Sequence, residues 1–189
     1  QIVMSATYRQ SSKGSPALDE RDPFNRLLAR QSRIRLDAEM VRDNALAISG
    51  LMVEKLGGRS VKPYQPADFY AQLNFPKRNY RHDSGQNQYR RGVYTHWQRT
   101  FLHPMLKAFD APSREECTAE RPTSNTPLQA LLLMNEREYL RAARRLAHRT
   151  LADGPQEPAA RLNAIYETIT SQLPDKKESE TLLTAVKDL

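Results

Sequence analysis

The chain has 189 residues, of which 39% are hydrophobic and 7% aromatic, so it has room for one domain with appendages around a modest core. Its 29 lysines and arginines exceed its 22 acidic residues, giving a net charge of +7, but the two signs are interleaved, which favours internal arginine–carboxylate networks over an anionic partner. A single cysteine, Cys117, excludes an intrachain disulfide and a cysteine zinc cluster, and the absence of any apolar run of about 18 residues excludes a membrane-spanning helix.

The first 21 residues are predicted to lead in from an upstream region. Residues 2–8 resemble the end of an element that is already under way, so we interpret the chain as a piece of a larger protein whose targeting signal lies outside it. Residues 10–16 are mostly polar and are predicted to form a loop. Tyr8 is a candidate contact for an upstream domain.

A long helix is predicted next. Asp22 and Pro23 are typical of a helix start, with Asp as the cap and Pro at the first helical position. The helical pattern continues to Ser49 with one break, and Gly57 and Gly58 are expected to end it. The apolar stripe of this helix is predicted to be Leu36, Met40, Ala47 and Leu51.

Two charged residues of this helix, Arg42 and Asp43, lie beside the apolar stripe in a stretch of alternating charge. We predict that they belong to a partly buried structural ion network rather than to a solvated face.

Residues 59–99 are the least regular part of the chain, and a long ordered loop inside a domain is often functional. Toward its end arginines alternate with aromatic side chains, a pattern that suits anion binding but also cation–π packing within the domain. Packing is the favoured interpretation; anionic polysaccharide is a further candidate, and nucleic acid is not favoured. The candidate interaction or anion-binding residues here are Arg90, Arg91, Tyr94, Trp97 and Arg99.

Two short elements are predicted before residue 120. Pro104 precedes one helical turn that extends to Phe109. Ser113 and Glu116 form a capping-box pattern, which predicts a brief helix that contains Cys117.

The stretch 121–135 is the most informative in the sequence. Pro127 suits the first turn of a helix, and Asn125 or Thr126 can accept a hydrogen bond from a free N–H of that turn. The run that follows predicts a central, buried helix with apolar residues Leu128, Leu131, Leu132 and Met134. Asn125, Thr126 and Gln129 at its start are candidates for docking an upstream domain or for holding an anion.

The remainder reads as an arginine-rich helix over 136–151 that ends at 153–155, followed by two more helices. Glu157 and Pro158 begin the first of these, and 178–189 is the second. The apolar face of the first comprises Leu162, Ile165, Tyr166 and Ile169.

The predicted fold class is all-α, because capped amphipathic segments recur and no period-2 run indicates a strand. We expect a single domain with a lead-in over 1–21, a core over 22–152 and a C-terminal helical pair over 153–189. The irregular segment 59–99 is expected to cover one side.

The sequence contains no recognisable catalytic motif. Its four histidines and Cys117 lack the spacing of zinc or haem ligands. A nucleophile elbow and a phosphate-binding loop are also missing. We therefore predict no metal and no cofactor in this domain, and participation in catalysis stays open.

Six motifs occur in order: Ser-Ala-Thr-Tyr-Arg-Gln-Ser-Ser at 5–12, Arg-Asp-Asn-Ala-Leu-Ala-Ile-Ser-Gly at 42–50, Ser-Val-Lys-Pro-Tyr-Gln-Pro at 60–66, Tyr-Arg-Arg-Gly-Val-Tyr-Thr at 89–95, Phe-Asp-Ala-Pro-Ser-Arg-Glu at 109–115 and Thr-Pro-Leu-Gln-Ala at 126–130. Together they resemble the planctomycete PSD1 domain, also called DUF1553, over nearly the whole chain. The family pattern usually reads Thr-Asn-Thr-Pro-Leu-Gln-Ala, and Ser124 stands at its first Thr.

This resemblance implies the C-terminal part of a large exported protein, and therefore an extracytoplasmic, periplasmic or exported, location. Members usually follow a second uncharacterised domain, DUF1549, and often a c-type cytochrome domain, so any haem would belong to an upstream domain. The resemblance supplies no catalytic residues.

The leading functional hypothesis is an interaction or structural domain. It would dock to upstream domains of the same polypeptide through Tyr8, the 59–99 segment and residues 125–129. One alternative is part of a composite carbohydrate-processing or redox enzyme site. The other is binding of a polyanion, such as a sulfated glycan or nucleic acid, through the arginine–aromatic segment.

Overall fold

The computed structural model describes residues 1–72, 79–98 and 101–187. Over these ranges the chain forms helices and turns without a β-strand, and two isolated bridges pair Val53 with Arg90 and Val61 with Thr95. The α-helices are α1 (Pro16–Arg21), α2 (Ala38–Ser49), α3 (Pro104–Ala108), α4 (Pro127–Asn135), α5 (Arg137–Asp153), α6 (Pro158–Thr170) and α7 (Lys176–Lys187). Short 3-10 helices cover Ile2–Met4, Phe69–Gln72, Gly85–Tyr89 and Gly92–Tyr94. The predicted all-α class is confirmed.

The described residues form two compact units, one over 1–36 and one that begins at Asp37. All of the longer helices, α2 and α4 to α7, belong to the second unit. The subdivision into 1–21, 22–152 and 153–189 stays a prediction about domain organisation.

In the first unit, the predicted helix start at Asp22 and Pro23 is wrong. Asp22 instead follows the last residue of α1, whose N-terminus is capped by the Ser15 hydroxyl. The Asp22 carboxylate accepts hydrogen bonds from the N–H groups of Arg26 and Leu27. This arrangement holds a compact turn, and the positive φ of 52° at Leu28 is incompatible with a right-handed helix.

The second unit opens with α2, which starts at Ala38, later than predicted, and ends at Ser49, the last residue of the predicted helical pattern. Gly50 takes the left-handed conformation at φ 74° and caps it, so Gly57 and Gly58 do not end this helix. The predicted stripe is also wrong, since Leu36 and Met40 are exposed. The buried face consists of Ala38, Arg42, Leu46 and Ser49. An arginine can occupy this face because a carboxylate from α5 meets it.

The core forms where α2, α3 and α5 pack together. The short α3 helix begins at Pro104, as the sequence predicts, and buries Met105 and Leu106. The central cluster comprises Ala38, Leu102, Met105, Leu106, Phe109 and Tyr139. Burial of these side chains holds the three helices together, since apolar burial contributes about 25 cal/mol per Å².

A buried ion pair joins α2 to α5 beside this core. The Arg42 side chain is fully buried, and its Nε and Nη2 atoms donate to the two carboxylate oxygens of Glu138 at 3.1 and 2.7 Å. Its Nη1 donates to the carbonyl of Arg90 and its Nη2 also donates to the carbonyl of Gln88. Asp43 lies at the edge, with Oδ1 4.0 Å from Arg42 Nη1. The pair therefore anchors the irregular segment as well as two helices.

Asp43 fixes the irregular segment a second time, by accepting a hydrogen bond from the Gly92 N–H. At Gly92 the chain passes so close to α2 that a Cβ atom would lie 2.8 Å from the carbonyl oxygen of Glu39. Only glycine allows this approach, and the 3-10 turn Gly92–Tyr94 consequently lies directly on α2.

The predicted brief helix at Ser113 and Glu116 is wrong. The Ser113 hydroxyl accepts from the Glu115 N–H two residues later, and Arg114 has φ 63°, so the chain bends instead. Cys117 in this stretch is exposed.

Later helix starts agree with the sequence. α4 begins at Pro127, and the Gln129 side chain accepts a hydrogen bond from the Thr126 N–H in the manner of a capping box. α6 begins at Pro158 after the Glu157 cap. α7 begins at Lys176, two residues before the predicted start at Glu178.

The buried pair generates the first testable prediction. Arg42→Met or Glu138→Met alone leaves one buried charge without its partner and should lower the free energy of unfolding by about 3–5 kcal/mol. The double variant leaves no unpaired charge, so its cost should be smaller than the sum of the two. Urea denaturation at neutral pH measures all three.

Arg59→Met is the matched control, because Arg59 pairs with Asp83 at 3.1 Å but is itself largely exposed. Its effect should stay within about 0–1 kcal/mol. Equal losses in Arg42→Met and Arg59→Met would contradict an anchoring role for the buried pair.

Candidate functional site

A cavity of about 350 Å³ lies in the second unit where α3 begins, α4 ends and α5 begins. Its lining residues are Tyr64, Pro66, His103, Pro104, Met105, Leu132, Asn135, Glu136 and Arg137. The one-residue break between α4 and α5 at Glu136 creates it, because the chain changes direction there and places three polar side chains in succession at the rim.

His103 forms one wall of the cavity and is only 5% exposed. Its Nε2 lies 2.9 Å from the carbonyl oxygen of Tyr64; since a carbonyl only accepts, Nε2 carries the proton. Nδ1 has no partner among the described residues and is buried. Burial, helped by the nearby charge of Arg42 and opposed by the bond to Tyr64, lowers the pKa of His103 to about 4. His103 is therefore neutral at physiological pH.

Glu136 serves as the cap of α5. Its Oε2 accepts hydrogen bonds from the N–H groups of Glu138 and Tyr139, at 2.6 and 3.4 Å. Burial raises the pKa of the Glu136 carboxyl, the neighbouring charge of Glu138 raises it further, and the hydrogen bonds oppose the shift. The half-buried cap is consequently less acidic than an ordinary surface glutamate.

Arg137 is exposed at the cavity rim, with its guanidinium carbon 4.8 Å from the centroid of the Tyr64 ring. Its guanidinium makes no ion pair or hydrogen bond with any residue that the structure describes. The ring of Tyr64 meets the ring of His82 edge-on at 5.7 Å on another side. Tyr64 also lines a second cavity of about 500 Å³, together with Tyr70, Tyr80 and neighbouring residues.

The buried pair of Arg42 and Glu138 lies close behind the cavity. Its charges act on Tyr139 and Tyr80, where burial is the largest cause of a raised pKa. The Tyr80 hydroxyl donates to the carbonyl of Pro63. The fold anchor and the cavity therefore share one electrostatic environment.

Arg90 makes its side-chain hydrogen bonds within the domain. Its side chain is 3% exposed; Nη1 donates to the carbonyl of Arg59, and Nη2 donates to those of Lys55 and Gly57. The guanidinium also stacks 3.9 Å from the ring centroid of Tyr94. The Nη groups of Arg90 therefore hold parts of the irregular segment together by hydrogen bonds to its carbonyls, and they are not directed at an external anion.

The other described members of the arginine–aromatic segment do not line the cavity. Arg91 is exposed, with Nε 3.5 Å from Asp43 Oδ2. Trp97 is half-buried against the core and stacks under Arg114, whose guanidinium carbon lies 3.8 Å from its ring centroid. Arg99 lies outside the described residues.

Three of the candidate residues, Asn125, Thr126 and Gln129, lie at the start of α4. Gln129 is buried, and its Nε2 donates to the carbonyl of Ala108 and to the hydroxyl of Ser124. Asn125 and Thr126 are exposed. Tyr8 belongs to the first unit and is half-exposed. The amide of Gln129 is therefore used within the domain, whereas Asn125 and Thr126 are accessible.

The prediction that α4 is a buried helix is wrong. Leu128, Leu131 and Met134 are 58%, 55% and 69% exposed, and Gln129 is the buried residue of the helix. The helix contacts α3 and α5, and its covered residues are the buried Gln129 and the half-buried Leu132. An almost wholly apolar helix thus presents most of its circumference to solvent.

Comparison with family models decides what the chain is related to. Residues 1–186 match the model of PSD1, a protein of unknown function (DUF1553). The chain belongs to this family. Comparison with curated proteins gave no match, and neither did comparison with solved structures.

Two features of this PSD1 domain bear on ligands and membranes. Among the residues described, no three His, Cys, Asp or Glu side chains converge as metal ligands would. In the same part of the chain no helix is both long and apolar enough to cross a membrane.

The sequence gives only partial signals for the cavity. In the sequence, His103 is one of four histidines without ligand spacing. Glu136 and Arg137 are only the first residues of a predicted arginine-rich helix. An acidic residue between two helical patterns is a helix-start signal, so Glu136 could have been found. Burial of His103 depends on tertiary packing and carries no local signal.

The buried neutral His103 predicts an acid-sensitive stability. In the unfolded chain His103 has its ordinary pKa of about 6.5 and becomes protonated below that pH. In the folded chain its pKa is about 4, so it stays neutral until the pH falls to that value. This contribution to the free energy of unfolding is therefore complete above pH 6.5 and falls by about 3 kcal/mol on going to pH 4. Urea titrations across this range should show a shallower decline in His103→Gln than in the wild type.

His148→Gln provides the control, because His148 is an exposed histidine on α5. Its stability should decline with falling pH as steeply as that of the wild type. Parallel curves for His103→Gln and the wild type would contradict the buried neutral imidazole.

Proposed function

We propose that this chain is an interaction domain that docks against another segment of its parent polypeptide through the exposed face of α4. The observation that carries the proposal is the exposure of Leu128, Leu131 and Met134, three large apolar side chains spaced three residues apart. Contiguous apolar patches of this kind mark interaction sites on soluble proteins. Anchors at such spacing are typical of a helix that packs into a partner's groove.

Exposed arginines on α5, the helix that follows α4, favour a partner that carries acidic residues. On α5, Leu140 is exposed, and Arg144 lies one turn further along the same face. Arg144 and Arg145 are exposed, and their guanidinium groups make no ion pair or hydrogen bond with described residues. A complementary surface would combine apolar side chains with flanking carboxylates. The proposed occupant is an acidic amphipathic segment of the region that precedes this domain in the parent chain.

The cellular setting of this interaction rests on the family resemblance. We propose a planctomycete parent protein that is exported beyond the cytoplasm and carries a cytochrome domain upstream. In that setting the present domain would be a docking platform and the upstream region would hold any haem.

The two alternative functions gain less support. Polyanion binding through the arginine–aromatic segment would need free arginine donors, whereas the Nη atoms of Arg90 donate to three carbonyls and Arg91 pairs with Asp43. A composite enzyme site would need a second contribution from outside the cavity, since His103 is neutral and Glu136 is committed to capping α5.

Docking predicts that one charge introduced on the exposed face of α4 weakens binding. Leu131→Asp should weaken association with the separately expressed upstream region by about 30-fold or more, because a hot-spot side chain contributes about 2 kcal/mol and a buried aspartate adds a desolvation cost. Isothermal titration calorimetry at low and high salt measures this. The affinity of the wild type should persist at high salt, since apolar burial carries it.

Leu56→Asp is the matched control, because Leu56 is 87% exposed but lies outside α4 and α5. Its binding should equal that of the wild type, and the circular dichroism melting curves of both variants should be unchanged. No binding at either salt, together with tight binding of heparin that weakens steeply with salt, would replace docking by polyanion binding.

A further inference from the structure

The cavity beside Glu136 has the size and boundaries of a small-molecule site. Its volume of about 350 Å³ lies at the lower end of the roughly 300–1,000 Å³ typical of ligand pockets, so it has room for one ring-sized molecule. The ends of three helices form its walls; the core joins α3 to α5, and α4 contacts both of these helices. Such a site is largely preformed.

The inner wall is apolar. Met105 is 2% exposed, and Pro104 and Leu132 beside it are half-buried. None of these side chains donates a hydrogen bond, so this wall favours a hydrocarbon ring over a chain of hydroxyl groups.

Arg137 gives the rim a positive charge that nothing else in the described structure neutralises. Its guanidinium lies 4.8 Å from the centroid of the Tyr64 ring and donates no hydrogen bond to any residue that the structure describes. A guanidinium binds a carboxylate through two parallel hydrogen bonds. Because Tyr64 already restricts the side chain, less rotational freedom is lost when a carboxylate binds.

The neighbouring titratable groups leave this charge dominant. His103 is neutral at physiological pH and adds neither a cation nor an anion. One oxygen of Glu136 is bonded to the N–H groups of Glu138 and Tyr139, and these main-chain donors offset part of the charge of this carboxylate. A cationic ligand would be repelled by the exposed guanidinium of Arg137.

We infer that this cavity is a binding site for a small cyclic carboxylate, whose ring lies against Met105 and Leu132 and whose carboxylate pairs with Arg137. Neither the docking face of α4 nor the family match assigns such a site. The side chains that form it, moreover, differ from Leu128, Leu131 and Met134 on the exposed face of that helix.

Benzoate is the probe that tests this site, with benzamide as its uncharged counterpart. Calorimetric titration of the chain alone should show benzoate binding at millimolar concentration and at least about 10-fold weaker binding of benzamide, because one charge-assisted pair contributes about 1.5–3 kcal/mol. Amide chemical shifts at Met105, Leu132 and Arg137 should change on adding benzoate.

Arg137→Gln and Arg144→Gln form a matched pair, since both remove one exposed positive charge from α5 and only Arg137 lines the cavity. Arg137→Gln should weaken benzoate binding by about 10-fold, whereas Arg144→Gln should leave it within about twofold. Leu132→Trp, which fills the cavity, should abolish it. Melting curves establish that each variant is folded.

Three results would overturn the inference: no benzoate binding at millimolar concentration, equal binding of benzamide, or equal weakening by Arg137→Gln and Arg144→Gln. The titration uses no upstream region, so its outcome is independent of whether α4 docks a partner.

Discussion

The buried pair of Arg42 and Glu138 is the interaction on which the arrangement of this domain depends. The partners are 96 positions apart in sequence, and their two hydrogen bonds fix α2 against α5. The remaining donors of Arg42 bind the carbonyls of Gln88 and Arg90, so the irregular segment is positioned by the same side chain. A buried guanidinium is tolerated only with its partners in place, which ties three distant parts of the chain to one geometry.

The cavity is a consequence of that geometry. Glu138 must face Arg42, and two residues earlier Glu136 caps α5 by accepting the Glu138 N–H. The break between α4 and α5 therefore falls at a fixed point, which leaves Arg137 at the rim above Tyr64. The same helix junction thus contributes to stability and forms a preorganised ligand site. The neutral His103 is one wall of that site.

The exposed face of α4 is an apolar surface that the domain itself does not cover. A helix with this composition is buried in most globular domains, yet here only the side that bears Gln129 is covered. Gln129 takes the inner position because its amide joins the carbonyl of Ala108 to the Ser124 hydroxyl. The leucines then face outward, and a partner surface is the simplest way to remove them from water.

Local signals in the sequence determined the all-α class and the helix starts at Pro104, Pro127 and Pro158, because a proline acts within one turn of its own position. The resemblance carried by six motifs led to the family. Tertiary structure alone decided which face of α2 is buried, that Arg42 pairs with Glu138, and that Leu131 is exposed. These outcomes depend on residues far apart in the chain, whose contacts leave no periodic trace. The neutral His103 and the cavity belong to the same group, since burial is a property of the assembled helices.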